Sequence, residues 1–271
     1  MKHTMLDCYG SIESKLDDVK YINNLLNHVA YQLNLVSVAP PFLLPYYYGV
    51  EPEDIGISAF LFLKGGHITI HTFPLRECYF VDMVYDGEYD ENVAYKLFKR
   101  LLPFEDNRSI INAKERKIDE EYTLPISSEE DFGPHILAKI NAKTIPTMET
   151  IFDFLESTID KIGMTPIIRP YVIKDLMVNP TYLSGIVMIA ESHISFHYNY
   201  EEKVIYFDLF SCKMFDHTRI KQILNDEFGD VSSYIVIPRG TKHKYNKVSN
   251  MIQTEKVYNS VWKDNICKNT K

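Results

Sequence analysis

Ile57-Ser-Ala-Phe-Leu-Phe-Leu-Lys-Gly-Gly-His-Ile-Thr-Ile-His71 and Leu183-Ser-Gly-Ile-Val-Met-Ile-Ala-Glu-Ser-His-Ile-Ser-Phe-His197 are two versions of one segment, 126 residues apart. The same offset holds further on, where Tyr79-Phe-Val-Asp-Met-Val84 falls opposite Ile205-Tyr-Phe-Asp-Leu-Phe210 and places Asp82 and Asp208 at equivalent positions. Two matches in one register are hard to obtain by chance, so the chain reads as an internal duplication.

Around these segments each half follows one coarse plan. The first half has a strand over 3–9 and a helix over 13–34, with Leu16, Val19, Ile22, Leu25, Leu26 and Val29 at helical spacing. Strands follow over 57–64, 67–73 and 78–85, then a helix over 91–102 and a strand over 109–114. The second half repeats this with a strand over 135–141, a helix over 147–162, strands over 166–173, 184–190, 193–199 and 203–210, a helix over 217–227 and a strand over 232–238. Three consecutive strands between two helices predict an α+β fold in which each half is an antiparallel sheet with helices on one face. The open faces of the two sheets would bury each other as an αββα sandwich. The expected boundaries are 1–114 for the first half, an acidic linker over 115–132, 133–247 for the second half and a C-terminal tail over 248–271.

Composition narrows the classes of function. With 271 residues, 45% of them apolar, the chain can bury a sizeable core. A net charge of -8 argues against nucleic acid as the main partner, because phosphate contacts need a basic surface. The locally basic stretch from Arg239 to Lys247 reads as a solvated loop or tail. No apolar run is long enough for a membrane span and no signal peptide is evident, so the expected compartment is the cytosol. Cys8, Cys78, Cys212 and Cys267 are too scattered for a disulfide framework.

The second copy carries chemistry that the first lacks. Ser184 is followed after six residues by Glu191-Ser192-His193, with His197 four positions beyond His193 and Cys212 four positions beyond Asp208. These seven positions, within 29 residues, resemble the signature of the bacterial and archaeal S-adenosylmethionine decarboxylases. The resemblance extends more weakly over both halves. Members of that family are short chains that dimerise, and this chain looks like two of them fused.

The resemblance implies that Ser192 attacks the carbonyl of Glu191, that the resulting ester breaks by β-elimination, and that a covalent pyruvoyl group remains at position 192. Such a ketone forms a Schiff base with a substrate amine and accepts the electrons left when carbon dioxide departs. Cys212 stands in the family's proton-donor position, and an ordinary thiol with a pKa of about 8.5 is mostly protonated at neutral pH, as a donor must be. The fragments 1–191 and 192–271 are expected to remain together as one αβ unit. A further homo-oligomer is possible.

In the first half Gly65-Gly66 stands in place of Glu-Ser and Asp86 in place of the cysteine, yet Ser58 and His71 keep their register. In the dimeric members and their fused eukaryotic relatives, the serine and histidine that assist processing come from the half opposite the cleaved serine. One active site is therefore expected between the halves, with Ser192 and Cys212 from the second and Ser58 and His71 from the first. Ser184 and His197 read as remnants of a second site, and remain alternatives for the processing role.

The family's substrate pattern is only partly present. A His-Thr-Trp-Pro-Glu run that stacks adenine and holds ribose is represented here by His71-Thr72-Phe73-Pro74-Leu75. Phe73 keeps the aromatic ring. Leu75 cannot accept a hydrogen bond from ribose, for which Glu77 or Glu201 could substitute, and Phe42 or Tyr46-Tyr47-Tyr48 could supply a second ring or simply be core.

His67/His71 and His193/His197 invite a metal reading, but residues four apart on a strand lie about 13 Å from each other, too far for one ion, so no metal is expected. The leading expectation is decarboxylation of S-adenosylmethionine, a small-molecule substrate, for spermidine synthesis. The missing glutamate motivates the same chemistry on ornithine or arginine, and a non-catalytic regulatory paralogue is the alternative of another class.

Overall fold

The structure is a computed structural model that describes residues 1–46, 52–190 and 192–242; Glu191, Tyr47, Tyr48 and the tail over 248–271 with Trp262 lie outside the described residues. The strands are β1 (Lys2–Tyr9), β2 (Phe42–Tyr46), β3 (Gly56–Leu63), β4 (Gly66–Phe73), β5 (Cys78–Tyr85), β6 (Ile110–Glu115), β7 (Glu121–Thr123), β8 (Gly133–Ala142), β9 (Tyr171–Lys174), β10 (Tyr182–Ile189), β11 (Ser192–Asn199), β12 (Val204–Phe210) and β13 (Gly229–Arg239). The helices are α1 (Glu13–Leu16), α2 (Val19–Gln32), α3 (Glu91–Leu101), α4 (Met148–Lys161) and α5 (His217–Glu227). One sheet runs β2-β3-β4-β5-β1-β6 and the other β9-β10-β11-β12-β8-β13-β7. Apart from β7 the two orders are the same, so the duplication read from two segments extends to the topology of each half.

Side-chain alternation on the central strands builds three layers of packing. Ile68 and Ile70 of β4 face α2 and α3 in one core, and Ile194, Phe196 and Tyr198 of β11 face α4 and α5 in another. The intervening His67 and His71, and His193 and His197, point the other way and meet across the gap between the sheets. Smaller apolar clusters fill the rest of that gap, including Phe60, Phe62, Ile186 and Met188 at one edge and Tyr9, Phe73, Phe80, Phe132 and Phe210 at another. The result is the αββα sandwich.

The departures from the expected elements have local causes. The helix expected over 13–34 is divided at Asp17 and Asp18, because the Asp18 side chain caps a new helix by accepting from the Tyr21 amide at 2.8 Å. Val19, expected on the apolar face, is exposed as the first residue of that helix. The strand expected over 166–173 shrinks to Tyr171–Lys174, with only an isolated bridge at Pro166, since Pro166 and Pro170 have no amide hydrogen to donate to a ladder. Strand β2 contains Pro45 and survives because it lies at a sheet edge. Within the stretch read as a linker, Glu121–Thr123 adds a parallel edge strand to β13.

Candidate active site

In the hairpins β3–β4 and β10–β11, Leu63 pairs with Gly66 and Ile189 with Ser192. Across the gap His71 meets His193 and His67 meets His197, so β4 and β11 run antiparallel and the two hairpin turns lie at opposite ends of the crossing. With a step of four residues along each strand between the contacts, the ends are about 13 Å apart or more. Each end collects its own set of side chains.

At one end Ser192 opens β11, fully buried, and its Oγ accepts the Cys212 backbone N–H at 2.9 Å. Cys212, half-buried, directs its Sγ to the carbonyl oxygen of Ala190 at 3.4 Å and packs against the cluster containing Phe73 and Phe210. A thiol donating to a carbonyl is protonated. From the other half, Ser58 Oγ lies 2.9 Å from His71 Nδ1, and His71 Nε2 lies 3.0 Å from His193 Nδ1. His193 in turn places Nε2 3.1 Å from Asp208 Oδ2, and Ser195 Oγ donates to Asp208 Oδ1 at 2.5 Å. His193, the residue after Ser192, thus links the Ser192 and Cys212 pair to the Ser58 and His71 pair.

The opposite end contains the other expected residues. Ser184 Oγ lies 2.9 Å from His197 Nδ1, whose ring reaches His67 Nδ1 through Nε2 at 2.7 Å. Here Asp86 occupies the place matching Cys212, accepts from the Tyr182 hydroxyl, and lies 3.4 Å from the N-terminal amine and 3.1 Å from Lys117. The Tyr182 ring sits over Gly65, which has a φ of +70°. A cavity of about 620 Å³ opens beside it, lined by Asp86, Tyr182, Asn199 and Glu201. Glu201 therefore belongs to the end where Gly65-Gly66 replaces Glu-Ser, and is not brought to Ser192.

Of the remaining substrate candidates, Phe73 is buried beside Cys212. Glu77 follows the turn Pro74–Arg76 in a left-handed conformation with φ 51°. Phe42 is half-buried and stacks on Phe60 at 4.8 Å with Tyr171 on its flank, in the apolar cluster between the sheets and not among the packing partners of Cys212.

A belt of charge crosses the gap between the ends. Arg239 donates to Asp7 at 2.8 Å, to Asp82 at 2.6 Å and to His135 Nδ1 at 2.8 Å. Arg116 donates to the carbonyls of Ala138 and Phe207, both at 2.7 Å, and to His3 Nδ1 at 3.3 Å. Arg239 is thus a fully buried core residue and not part of a solvated basic loop, while Arg116 comes from the stretch read as linker. Neither had a local signal, because an isolated arginine does not reveal which carboxylate from another strand will face it.

Burial sets the protonation of this belt. It holds His71 and His67 well below their ordinary 6.5, with His193 adding repulsion for His71, and pushes His197 down to about 4 and His135 to about 3. Burial opposes ionisation of Asp208, but the His135 imidazole 3.7 Å away and the hydrogen bond with His193 hold it well below the usual carboxylate range. The belt therefore pairs ionised aspartates and arginines with neutral imidazoles. Two groups, His3 with Asp82 and His135, and His67 with His193 and Asp208, bring atoms able to bind a metal within 4.8 Å of one another. In each group a histidine Nε2 is already hydrogen-bonded to the aspartate, and no metal is assigned.

The fold and this end of the crossing define a duplicated αββα protein that gathers Ser192, the Cys212 thiol, Ser58 and the neutral His71 imidazole between its halves. A family model described as S-adenosylmethionine decarboxylase matches residues 2–113 and again 137–240, and the chain belongs to that family. An S-adenosylmethionine decarboxylase proenzyme from Archaeoglobus fulgidus is 32% identical over 83 residues, covering 30% of this chain and 70% of that one. One from Aquifex aeolicus is 31% identical over 94 residues, 35% of this chain; the chain spans 63% of that relative's length, less than two thirds. A crystal structure of the adenosylmethionine decarboxylase from Aquifex aeolicus is also similar, with 24% identity and a TM-score of 0.37 over 46% of this chain and 96% of that one. Family membership implies a decarboxylase. Among the described residues, no helix is long and apolar enough to cross a membrane.

Proposed function

We propose that this chain is a self-processing, pyruvoyl-dependent carboxy-lyase that decarboxylates S-adenosylmethionine in polyamine synthesis, with one active site at the Ser192 end of the crossing. The observation that carries this reading is that Ser192 and Cys212 of one half share an end with Ser58 and His71 of the other, linked through His193.

In the processing step the Ser192 hydroxyl oxygen bonds to the Glu191 carbonyl carbon, the peptide C–N bond breaks, and the hydroxyl proton passes to the nitrogen, which becomes an amine. Loss of the Ser192 α-proton then forms a Cα–Cβ double bond and expels residues 1–191 as a carboxylate. Water adds and ammonia leaves, so that position 192 carries a ketone. The Cys212 amide holds the attacking oxygen in place. His71, kept neutral by burial, is the base available for the α-proton.

Ser192 and Cys212 also fit the group that results, since the serine begins a strand and the thiol side of the site is half-exposed for a substrate. The pyruvoyl ketone supplies an electrophile for a substrate amine and a sink for the electron pair released with carbon dioxide. Cys212 holds the proton to be returned to the substrate α-carbon, and Phe73 forms part of the apolar wall beside it.

The two fragments stay associated because β13, β8 and β12 are consecutive in the sheet, and β8 belongs to 1–191 while its neighbours belong to 192–271. The test is release of labelled carbon dioxide from carboxyl-labelled S-adenosylmethionine by the purified protein, lost in Ser192→Ala. Release from ornithine or arginine instead would transfer the reaction to a basic amino acid, which the apolar Leu75 in place of the family's glutamate would then explain.

A further inference from the structure

The two halves carry the same hydrogen-bond chain, and only one copy is complete. At the Ser192 end it runs from Ser58 Oγ to His71 Nδ1 at 2.9 Å, from His71 Nε2 to His193 Nδ1 at 3.0 Å, and from His193 Nε2 to Asp208 Oδ2 at 3.1 Å. Its twin runs from Ser184 to His197 to His67 and stops, since His67 Nε2 is buried without a hydrogen-bond partner. The aspartate that would complete it, Asp82, instead gives Oδ1 to Arg239 at 2.6 Å and to His3 at 3.1 Å. Around Asp208 the surroundings differ: Arg116 stays 3.9 Å away, Ser195 takes Oδ1, and Oδ2 is left for His193. Thr69, the counterpart of Ser195, has no partner for its buried hydroxyl.

A terminal carboxylate sets the direction of such a chain. An ionised aspartate only accepts, so His193 presents Nε2–H to it and leaves Nδ1 bare. That nitrogen accepts from His71 Nε2–H, which leaves His71 Nδ1 bare to accept the Ser58 hydroxyl proton. His135 does not compete for the role, because Arg239 donates to its Nδ1 and its proton is therefore on Nε2, 3.7 Å from Asp208 Oδ2. In the twin no carboxylate imposes a direction.

We propose that His193 and Asp208 are positioning residues for cleavage at Glu191–Ser192, holding His71 in the tautomer with a bare Nδ1 and stabilising the charge it acquires on taking a proton. This rests on the self-processing reading above. Asp208→Asn can donate its amide to His193 Nε2 and so reverse the chain.

The experiment has two readouts. In newly synthesised chains, His193→Gln and Asp208→Asn are expected to slow cleavage about 10²–10⁴-fold, the scale of a lost or wrongly protonated general base, while Ser184→Ala, at the far end of the twin, leaves it unchanged. Equal slowing in all three, or none in the first two, would overturn the proposal. In the uncleavable Ser192→Ala chain, nitrogen-15 shifts are expected to show His71 protonated on Nε2, and protonated on Nδ1 once Asp208→Asn is added. A His71 proton on Nδ1 in the parent, or no change on adding Asp208→Asn, would also overturn it. This second readout does not require cleavage, so a chain that is never cut would refute the processing reading separately from the tautomer chain.

Discussion

His71 Nε2, from the first half, lies 3.0 Å from His193 Nδ1 of the second, in a fully buried contact next to Ser192. On the proposed mechanism the processing base is supplied by the half that lacks the Glu-Ser pair. His71→Ala is expected to accumulate as the full-length chain, with cleavage slowed by about 10²-fold or more, the usual contribution of a general base. His197→Ala, at the opposite end, is expected to leave the cut intact. Denaturing electrophoresis of the two variants checks both outcomes.

Cys212 is tied to Ser192 through its backbone N–H, whereas its thiol points to the Ala190 carbonyl. Cys212→Ala keeps the backbone contact and is expected to be cut, but to turn over about 10²–10⁴-fold more slowly for want of a proton donor. Product analysis with labelled substrate, beside a gel, separates the two effects.

The buried belt makes the fold acid-sensitive. His3, His67, His71, His135 and His197 have folded-state pKa values below the unfolded 6.5, with His197 at about 4 and His135 at about 3. Between 6.5 and those values the unfolded chain binds protons that the folded one refuses, so stability is full above about pH 6.5 and falls as the pH drops. Each such imidazole draws stability down as the pH falls below about 6.5, and loss of the fold in mild acid is expected by circular dichroism. A fold that persists unchanged to pH 3.5 would contradict this protonation pattern.

The degenerate end is closed to repair. A Cβ on Gly66 would lie 1.9 Å from the Val84 carbonyl oxygen, and one on Gly65 2.6 Å from the Tyr182 ring. Restoring Glu-Ser by Gly65→Glu with Gly66→Ser is expected to produce no second cut and to cost about 1–3 kcal/mol or more of stability, as overpacking does. Chemical denaturation and mass measurement test the two halves of this statement.

Much of this was legible because the two segments share one register. The 126-residue offset pairs Ser58 with Ser184, His71 with His197 and Asp82 with Asp208, and leaves Glu191, Ser192 and Cys212 conspicuous as residues without counterparts. Contacts between the sheets were not legible. Spacing along a strand separates His67 from His71, but only the antiparallel crossing of β4 and β11 shows that each meets a histidine of the other half. The same holds for Arg116 and Arg239, whose partners come from distant strands, and for the assignment of Glu201 to the far end. Strand β2 escaped notice because Pro45 breaks the apolar pattern without preventing pairing at a sheet edge, and the strand read over 166–173 forms only from Tyr171 because Pro166 and Pro170 cannot donate to the ladder.

On the proposed mechanism one peptide bond of this chain is broken by the serine that follows it. The mass of the purified protein, measured under denaturing conditions, tests it most directly. Two polypeptides are expected, residues 1–191 and residues 192–271, the second lighter by one ammonia than its unmodified sequence and reactive toward carbonyl-trapping reagents. A single mass for the unbroken 271-residue chain, inert to those reagents, would contradict it.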